Sequence, residues 1–362
     1  MREPKLITID QLLTQPTVLS GFTEIIDARS QAEFAEDHIA GAINMPVLND
    51  QERIIIGTLY KQVGAYEAKV KGAALVARNI SHHLETALAS KPKDYKPLVY
   101  CWRGGNRSGA LATIMARVGW NTYLLEGGYR EYRRALLTKL QTLPDQFRYS
   151  VIAGPTGSGK SQILQTLHNM GEQVLDLEDL ARHKGSVLGN LPNQAQPSQK
   201  FFDTLVFETL RNFSPDRVVF IESESKKVGA VQVPDALIKA MRKSACICID
   251  AAMTTRVSLL LSEYQHFTLD KELLFKQLDC LTGLHGTSLI DQWKELVTQQ
   301  KWPEFVEATL TEHYDPAYFR SMKRNFIKLD QAITIKLEAA NSIGVVEAAK
   351  EIKAMAPKLM AL

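Results

Sequence analysis

Short apolar runs separated by longer amphipathic stretches organise most of this chain, a pattern that predicts parallel strands joined through helices. Residues 96–100 read as a short buried strand and residues 108–118 as a helix, with Arg103-Gly104-Gly105-Asn106-Arg107 in the loop between them. A second strand–loop–helix unit follows, with a strand over 148–153, a glycine-rich stretch, and a helix over 162–169. Further strands are expected at 172–178 and 218–222, each ending in acids. After Asp250 the apolar residues take helical spacing, at 257–264, 271–281 and 290–300. Residues 343–356 read as a terminal helix with Pro357 marking its end.

Length and composition narrow the class without naming a function. A chain of 362 residues suits two domains, each with its own core. Its 45% hydrophobic and 23% charged residues are ordinary for a globular protein. No apolar run approaches the roughly 20 residues of a membrane span, and the first residues lack the apolar stretch of a signal peptide. The expectation is a cytoplasmic protein with no membrane partner. Four cysteines fit a reducing compartment. Cys246 and Cys248 have strand spacing and share one side, and with Cys280 they are expected as core thiols. The net charge of +3 says little, but its distribution says more. Residues 60–134 hold 13 Lys or Arg against 5 Asp or Glu, a basic field suited to a polyanion such as RNA. A solvated basic face without a partner would look the same.

Two motifs carry chemistry. Cys101 sits where the strand at 96–100 hands over to a helix, so loop amides and the helix N-terminus converge on its sulfur. Arg103 and Arg107 share that loop with Gly104, Gly105 and Asn106. Positive potential of this kind favours a thiolate and would hold a bound anion. The alternative for a free cysteine is an inert core thiol, but two glycines and two arginines are poor core material. The second motif is Gly154-Pro155-Thr156-Gly157-Ser158-Gly159-Lys160-Ser161, which fills every fixed position of a phosphate-binding loop between a strand and a helix. Its amides would approach phosphate oxygens, Lys160 adds charge, and Ser161 is placed to hold Mg²⁺. Downstream, Asp176, Glu178, Glu222 and Glu224 are candidates to orient Mg²⁺ or substrate, with Glu222 first among them. The loop alone does not show that ATP is hydrolysed.

The first third of the chain resembles a rhodanese domain. The residues that carry the resemblance are Asp27-Ala28-Arg29-Ser30, Glu33-Phe34, the run from His38 to Asn44, Cys101 to Ser108, and Leu125-Glu126-Gly127-Gly128-Tyr129. In such domains Asp27 and Arg29 would be scaffold rather than catalyst. The expected fold is therefore α/β: a rhodanese-like domain with a parallel sheet at 1–135, a linker at 136–147, and a P-loop NTPase-like α/β domain with a helical C-terminal part at 148–362.

Segments in both halves narrow the likeness further. Leu177-Glu178-Asp179-Leu180-Ala181-Arg182-His183-Lys184-Gly185, Glu222-Ser223-Glu224-Ser225-Lys226-Lys227-Val228-Gly229 and Cys101-Trp102-Arg103-Gly104-Gly105 are similar to segments of the tRNA 2-selenouridine synthase family. Lys184 stands where that family would have Arg, which keeps the charge but loses a bidentate grip. The resemblance implies a two-step replacement of sulfur by selenium in wobble 2-thiouridine of tRNA, in the Lys, Glu and Gln tRNAs. Geranyl diphosphate alkylates the sulfur and selenophosphate supplies selenium, with selenophosphate synthetase as a candidate partner. Cys101 would then either carry selenium or assist its attack. Trp102, Tyr129 and His183 are candidates to stack on a splayed base. Two rival readings stay open here: an ATP-dependent kinase or NTPase carrying a rhodanese module, and a non-catalytic RNA-binding or sulfur-relay module.

Overall fold

The structure is a computed structural model that describes residues 2–15, 20–192, 194–339 and 341–361. The chain separates into two units, one formed by Met1–Lys139 with Lys200–Asn212 and the other by Leu140–Gln199 with Phe213–Leu362.

In the first unit five strands form one sheet: β1 (Lys5–Ile7), β2 (Glu24–Asp27), β3 (Ala42–Asn44), β4 (Pro97–Tyr100) and β5 (Tyr123–Leu125). Their spatial order is β1-β5-β4-β2-β3 and every pair is parallel. The central strand β4 is buried at all four positions, which is why its sequence is a continuous apolar run rather than an alternating one. The helix Asn106–Val118 lays Leu111, Ala112 and Met115 against Ile26, Val99 and Trp120. Between β3 and β4 the helices Asp50–Gln62 and Ala65–Glu85 pack on each other. The first of them starts at a capping box, in which Asn49 Oδ1 accepts from the Glu52 N–H at 2.8 Å and Glu52 Oε2 accepts from the Asn49 N–H at 3.0 Å.

A buried polar network ties this unit together. Arg29, 1% exposed, donates to both carboxylate oxygens of Asp27 and to the Asp37 carbonyl, and its guanidinium lies 3.9 Å from the centre of the Tyr129 ring. The Asp37 carboxylate accepts from Tyr129 at 2.5 Å and from Thr204 at 2.9 Å. Thr204 belongs to the helix Gln199–Arg211, whose residues from Lys200 onward are part of this unit. The same helix brings Glu208 to the Tyr132 hydroxyl, which donates to it at 3.1 Å, and Phe201 to the His38 ring. Sequence patterning gave no sign that a helix so far down the chain closes this network.

The second unit repeats the architecture with β6 (Tyr149–Ala153), β7 (Gln173–Leu175), β8 (Val219–Glu222), the small hairpin β9 (Lys227–Val228) and β10 (Val231–Gln232), β11 (Ala245–Ala251) and β12 (Ile333–Leu337). The five-stranded sheet runs β12-β11-β6-β8-β7, all parallel, with β6 at its centre. One core lies against this sheet and includes Ile152, Ile163, Phe220, Ile247 and Ile352; a second, around Leu274, Trp293, Val297 and Phe305, holds the helical part together.

Several expectations change in detail. The strand expected over 172–178 stops at Leu175, because Asp176 turns into an N-cap and Glu178 enters the first turn of the helix Leu177–Ala181. The terminal helix does not end at Pro357 but runs over Ser342–Ala361. Leu359 is buried in the sheet-side core, and that packing outweighs one missing N–H near the helix end. Cys246 is a core thiol as expected, but Cys248 is only partly buried and Cys280 is exposed. Residues 136–147 form the end of the helix Gly128–Leu140 and a 3-10 turn, Leu143–Gln146.

Arg29→Ala leaves Asp27 as a buried, unpaired charge, and breaking such a pair costs about 3–5 kcal/mol. The variant is expected to lower the first unit's urea midpoint strongly, whereas Arg53→Ala, at an exposed pair with Glu33, is expected to shift it by less than about 1 kcal/mol.

Candidate functional site

Cys101 directly follows β4, at the carboxyl end of the central strand, where parallel sheets present their ligands. It is 3% exposed, and the Ser108 hydroxyl donates to its sulfur at 3.0 Å. The helix that begins at Asn106 is capped by Gly105 without a side-chain bond, so its first amides are free of a competing cap and face the loop. Gly104 sits at φ +65°, and a Cβ there would come within 2.6 Å of the Leu125 carbonyl. Behind the loop, the N–H groups of Tyr129 and Arg130 donate to the carbonyls of Cys101 and Trp102 at 2.8 and 3.0 Å.

The two loop arginines part company. Arg103 is exposed beside the loop. Arg107 is taken up by Glu33, at 2.6 and 3.2 Å. Burial works to raise the Glu33 carboxyl, but Arg107 prevails and holds it at about 2. Among the expected stacking residues, Trp102 is 36% exposed, while Tyr129 is buried beneath Arg29 and His183 is buried in the other unit.

The phosphate loop follows β6, again the central strand. The helix Lys160–Asn169 starts from Gly159 with no side-chain cap. Gly157, at φ +78°, packs so closely on the helix Met253–Glu263 that a Cβ would lie 2.8 Å from Leu260. Lys160 donates to the carbonyls of Gly154 and Pro155 at 2.7 and 3.3 Å, and burial lowers its pKa from the ordinary lysine value. Ser161 donates to Glu178 at 3.1 Å, and the Ser158 hydroxyl is buried with no hydrogen-bond partner.

Around this loop the chain gathers its acids. Asp176 accepts from the Asp179 N–H at 2.8 Å, and Glu222 Oε1 accepts from the Glu178 N–H at 2.8 Å. Glu222 is 1% exposed and its second oxygen has no hydrogen-bond partner. Burial raises all four carboxyls, reinforced by repulsion among them: Glu178 to about 7, Glu222 well above its ordinary value, and Asp176 and Glu224 upward. Lys184 lies 3.9 Å from Glu178. His183 Nδ1 accepts from the Gly185 N–H at 3.1 Å, and burial lowers the ring's pKa. Loop amides and Lys160 suit phosphate oxygens. Ser161 and the orphaned Glu222 oxygen are hard donors that suit a divalent cation. Among the described residues no three His, Cys, Asp or Glu converge as a metal-binding group. An ion here would therefore be shared between Ser161, one or two carboxylates and the phosphates of a ligand.

Sequence reasoning did not find the neighbour of this cavity. A narrow slot leads off beside Thr156. Thr156, Ser186, Leu260, Tyr264 and Tyr314 line both spaces. Beyond them the walls are Phe267, Leu274, Trp302, Phe305 and Leu310, and nearly all the accessible surface is carbon. Arg256, Asp315 and Tyr318, which touch or support the loop, were also missed. Their roles depend on tertiary contacts that a single sequence does not carry, although the i, i+3 spacing of Asp315 and Tyr318 places them on one helix face.

Glu222 binds its proton more tightly folded than unfolded, so the stability it contributes is full below its unfolded pKa and is lost as pH rises toward the folded value. Glu222→Gln removes that loss. In ligand-free buffer its melting temperature is expected to exceed that of the parent at pH 7.5 by several degrees, at about 2–4 °C per kcal/mol for a unit of this size, with the gain shrinking toward pH 4.5. Thermal melts across that range check it.

Comparison with known proteins agrees with the two-part reading. Residues 9–135 match the model of the rhodanese-like domain, and residues 147–279 match that of the tRNA 2-selenouridine synthase AAA domain. A tRNA 2-selenouridine synthase of Nitrosomonas europaea is 34% identical over 268 residues, covering 73% of this chain and 68% of the relative. Those of Hydrogenovibrio crunogenus and a Sulfurovum species are 30% and 28% identical, covering 84% of this chain and 91% and 90% of theirs. With a rhodanese-like sheet carrying Cys101, a phosphate loop on a second sheet, and kinship along most of its length, the chain belongs to the tRNA 2-selenouridine synthase family.

Proposed function

We propose that this chain acts in the cytosol on tRNA, exchanging sulfur for selenium in wobble 2-thiouridine with geranyl diphosphate and selenophosphate as co-substrates. The observation that carries this reading is the apolar slot opening from the phosphate-loop cavity at Thr156. A nucleotide would set a polar base beside its phosphates and need donors and acceptors for it. A prenyl diphosphate needs a phosphate cradle continuous with a carbon-lined slot, and that is the combination this cavity offers. The kinase reading lacks such support.

In the first step the thiocarbonyl sulfur attacks C1 of the geranyl group and the C1–O bond breaks. Its electron pair leaves with diphosphate, and the uridine N3 proton is lost. Loop amides and Lys160 oppose the charge that develops on the departing diphosphate. Mg²⁺ held by Ser161, acids of the cluster and the substrate phosphates would add Lewis-acid neutralisation. In the second step selenium of selenophosphate attacks C2 and the C2–S bond breaks, releasing geranylthiol. Water then cleaves the P–Se bond and releases phosphate. Cys101 serves this step by assisting the attack, with Arg103 and the amides of Gly104, Gly105 and Asn106 around the anionic donor. For the RNA itself, Lys61, Lys69, Lys71, Lys93 and Arg103 are exposed. Tyr60 and Tyr66, 62% and 74% exposed among those lysines, offer faces on which bases can stack.

The two steps are expected to separate by mutation. Lys160→Ala should slow prenyl transfer by about 10²–10³-fold, since the ammonium acts chiefly on developing charge, and pre-geranylated tRNA should bypass the defect. Cys101→Ser should block selenium incorporation while S-geranyl-2-thiouridine accumulates. Nucleoside mass spectrometry of thiolated tRNA after incubation with both co-substrates reads both outcomes. An absolute ATP requirement, with no diphosphate released from geranyl diphosphate, would make the loop that of an NTPase. For tRNA binding, affinity should fall steeply with salt, and a Lys69→Ala/Lys71→Ala pair should lower the slope of log K against log[salt] by up to about 2.

A further inference from the structure

The elements that wall the apolar slot are also the ones that grip the phosphate loop from outside. Leu260, on the helix Met253–Glu263, and Tyr264, its C-cap, line the slot, and one turn before Leu260 the same helix carries Arg256. Arg256 is 5% exposed. Its Nε donates to the Thr156 carbonyl at 2.9 Å, and its two terminal nitrogens donate to the two oxygens of Asp315 at 2.9 and 2.6 Å. Asp315 is the first residue of the helix Asp315–Asn325, directly after the single π-turn Leu310–Tyr314, whose Leu310 and Tyr314 also line the slot. One turn beyond Asp315, the Tyr318 hydroxyl accepts from the Gly154 N–H at 2.6 Å, and its ring centre lies 5.8 Å from the Lys160 ammonium. The loop is thus held at Thr156 by Arg256 and at Gly154 by Tyr318. Both holds lead back to segments whose other side chains face the slot.

We infer that the Arg256–Asp315 fork, with Tyr318, is a positioning device that makes the loop's grip on diphosphate depend on whether the slot is filled. The inference rests on the reading of the slot as the seat of the donor's chain. A chain in the slot packs against Leu260, Leu310 and Tyr314 and fixes the helix Met253–Glu263 relative to the π-turn. A planar, bidentate guanidinium–carboxylate pair transmits that geometry better than a single-point contact would. Its third bond then sets the Thr156 carbonyl, and with it the amides that follow. With the slot empty, the same segments lack that support and the loop binds diphosphate less well. The benefit is directional: the intact donor is held in preference to the diphosphate left behind after transfer, so product leaves. Such coupling between two parts of one ligand is a free energy of the size seen between separate sites, worth about 5–150-fold in affinity.

The experiment is calorimetric titration of the full chain with inorganic diphosphate and with geranyl diphosphate, under one Mg²⁺ concentration. It is run for the parent, Asp315→Asn, Arg256→Lys and the double variant, each first checked for an unchanged melting temperature to within a few degrees. Tyr318→Phe serves as a milder variant that removes only the hydroxyl. The parent should bind geranyl diphosphate more tightly than inorganic diphosphate. Each single substitution at the fork should shrink that advantage by about tenfold or more while moving inorganic diphosphate by less than about threefold, and the double variant should be no worse than either single, as expected for residues acting as one unit. Tyr318→Phe should shrink it by a smaller factor. If the advantage persists undiminished in the variants, or both ligands weaken by one common factor, the fork is ordinary scaffolding and the inference is wrong. A parent that shows no advantage for the geranyl ligand overturns the donor reading as well, and so separates the two failures.

Discussion

An excess of buried negative charge governs the second unit. Glu178, Glu222 and Glu224 share one cavity with Lys160 and Lys184, Asp176 lies next to them, and desolvation alone pushes every one of these carboxyls toward its neutral form. Like charges so placed cannot all ionise together, so the cluster holds protons that a solvated set of acids would have released. Most of the local structure answers to this. The Glu178 amide binds Glu222, Ser161 binds Glu178, and Lys160 turns to the carbonyls of its own loop. A diphosphate entering such a space adds more negative charge, so its arrival is tied to the arrival of a cation or the retention of protons. The loop amides supply direction, and the acid cluster sets what must accompany the anion.

The first unit solves a related problem with one cation. Arg29 is almost wholly buried, and Asp27, the Asp37 carbonyl and the face of Tyr129 all turn toward it. That arrangement fixes the end of β2 beside Cys101's strand and holds the segment after β5 against the cysteine loop, since Tyr129 is also the residue whose amide closes on the Cys101 carbonyl. Both units therefore place their chemistry in the same way. A central strand buried on both faces ends in a loop whose amides are left open by a glycine cap. The rigidity comes from the sheet, and the anion-binding surface comes from the helix that follows.

Much of this was legible in the sequence because it rests on local pattern. The runs at 97–100 and 149–153 had to be interior strands, and the glycines around Lys160 had no other economical use. The acids at 176, 178, 222 and 224 could be listed, but their convergence depends on β7 and β8 lying side by side, a pairing that periodicity does not encode. The apolar slot was invisible for a similar reason. Its walls come from four separate helices and a π-turn, each of which reads as ordinary core in isolation. Arg107 shows the opposite case. Proximity in sequence suggested an arginine for the cysteine loop, whereas the nearest strong carboxylate, Glu33, lies in another helix and claims it.

The helix of residues 200–211 carries one more consequence. It belongs to the first unit although some sixty residues of the second unit's chain precede it. Thr204 and Glu208 complete hydrogen bonds to Asp37 and Tyr132 that nothing encoded before residue 140 supplies. During synthesis, at about 5–20 residues per second, the first unit must therefore wait several seconds or longer with part of its buried polar network open. A fragment cut at the apparent domain boundary would remain permanently in that state. The unit that bears the cysteine is thus finished only after the ribosome has made the phosphate loop.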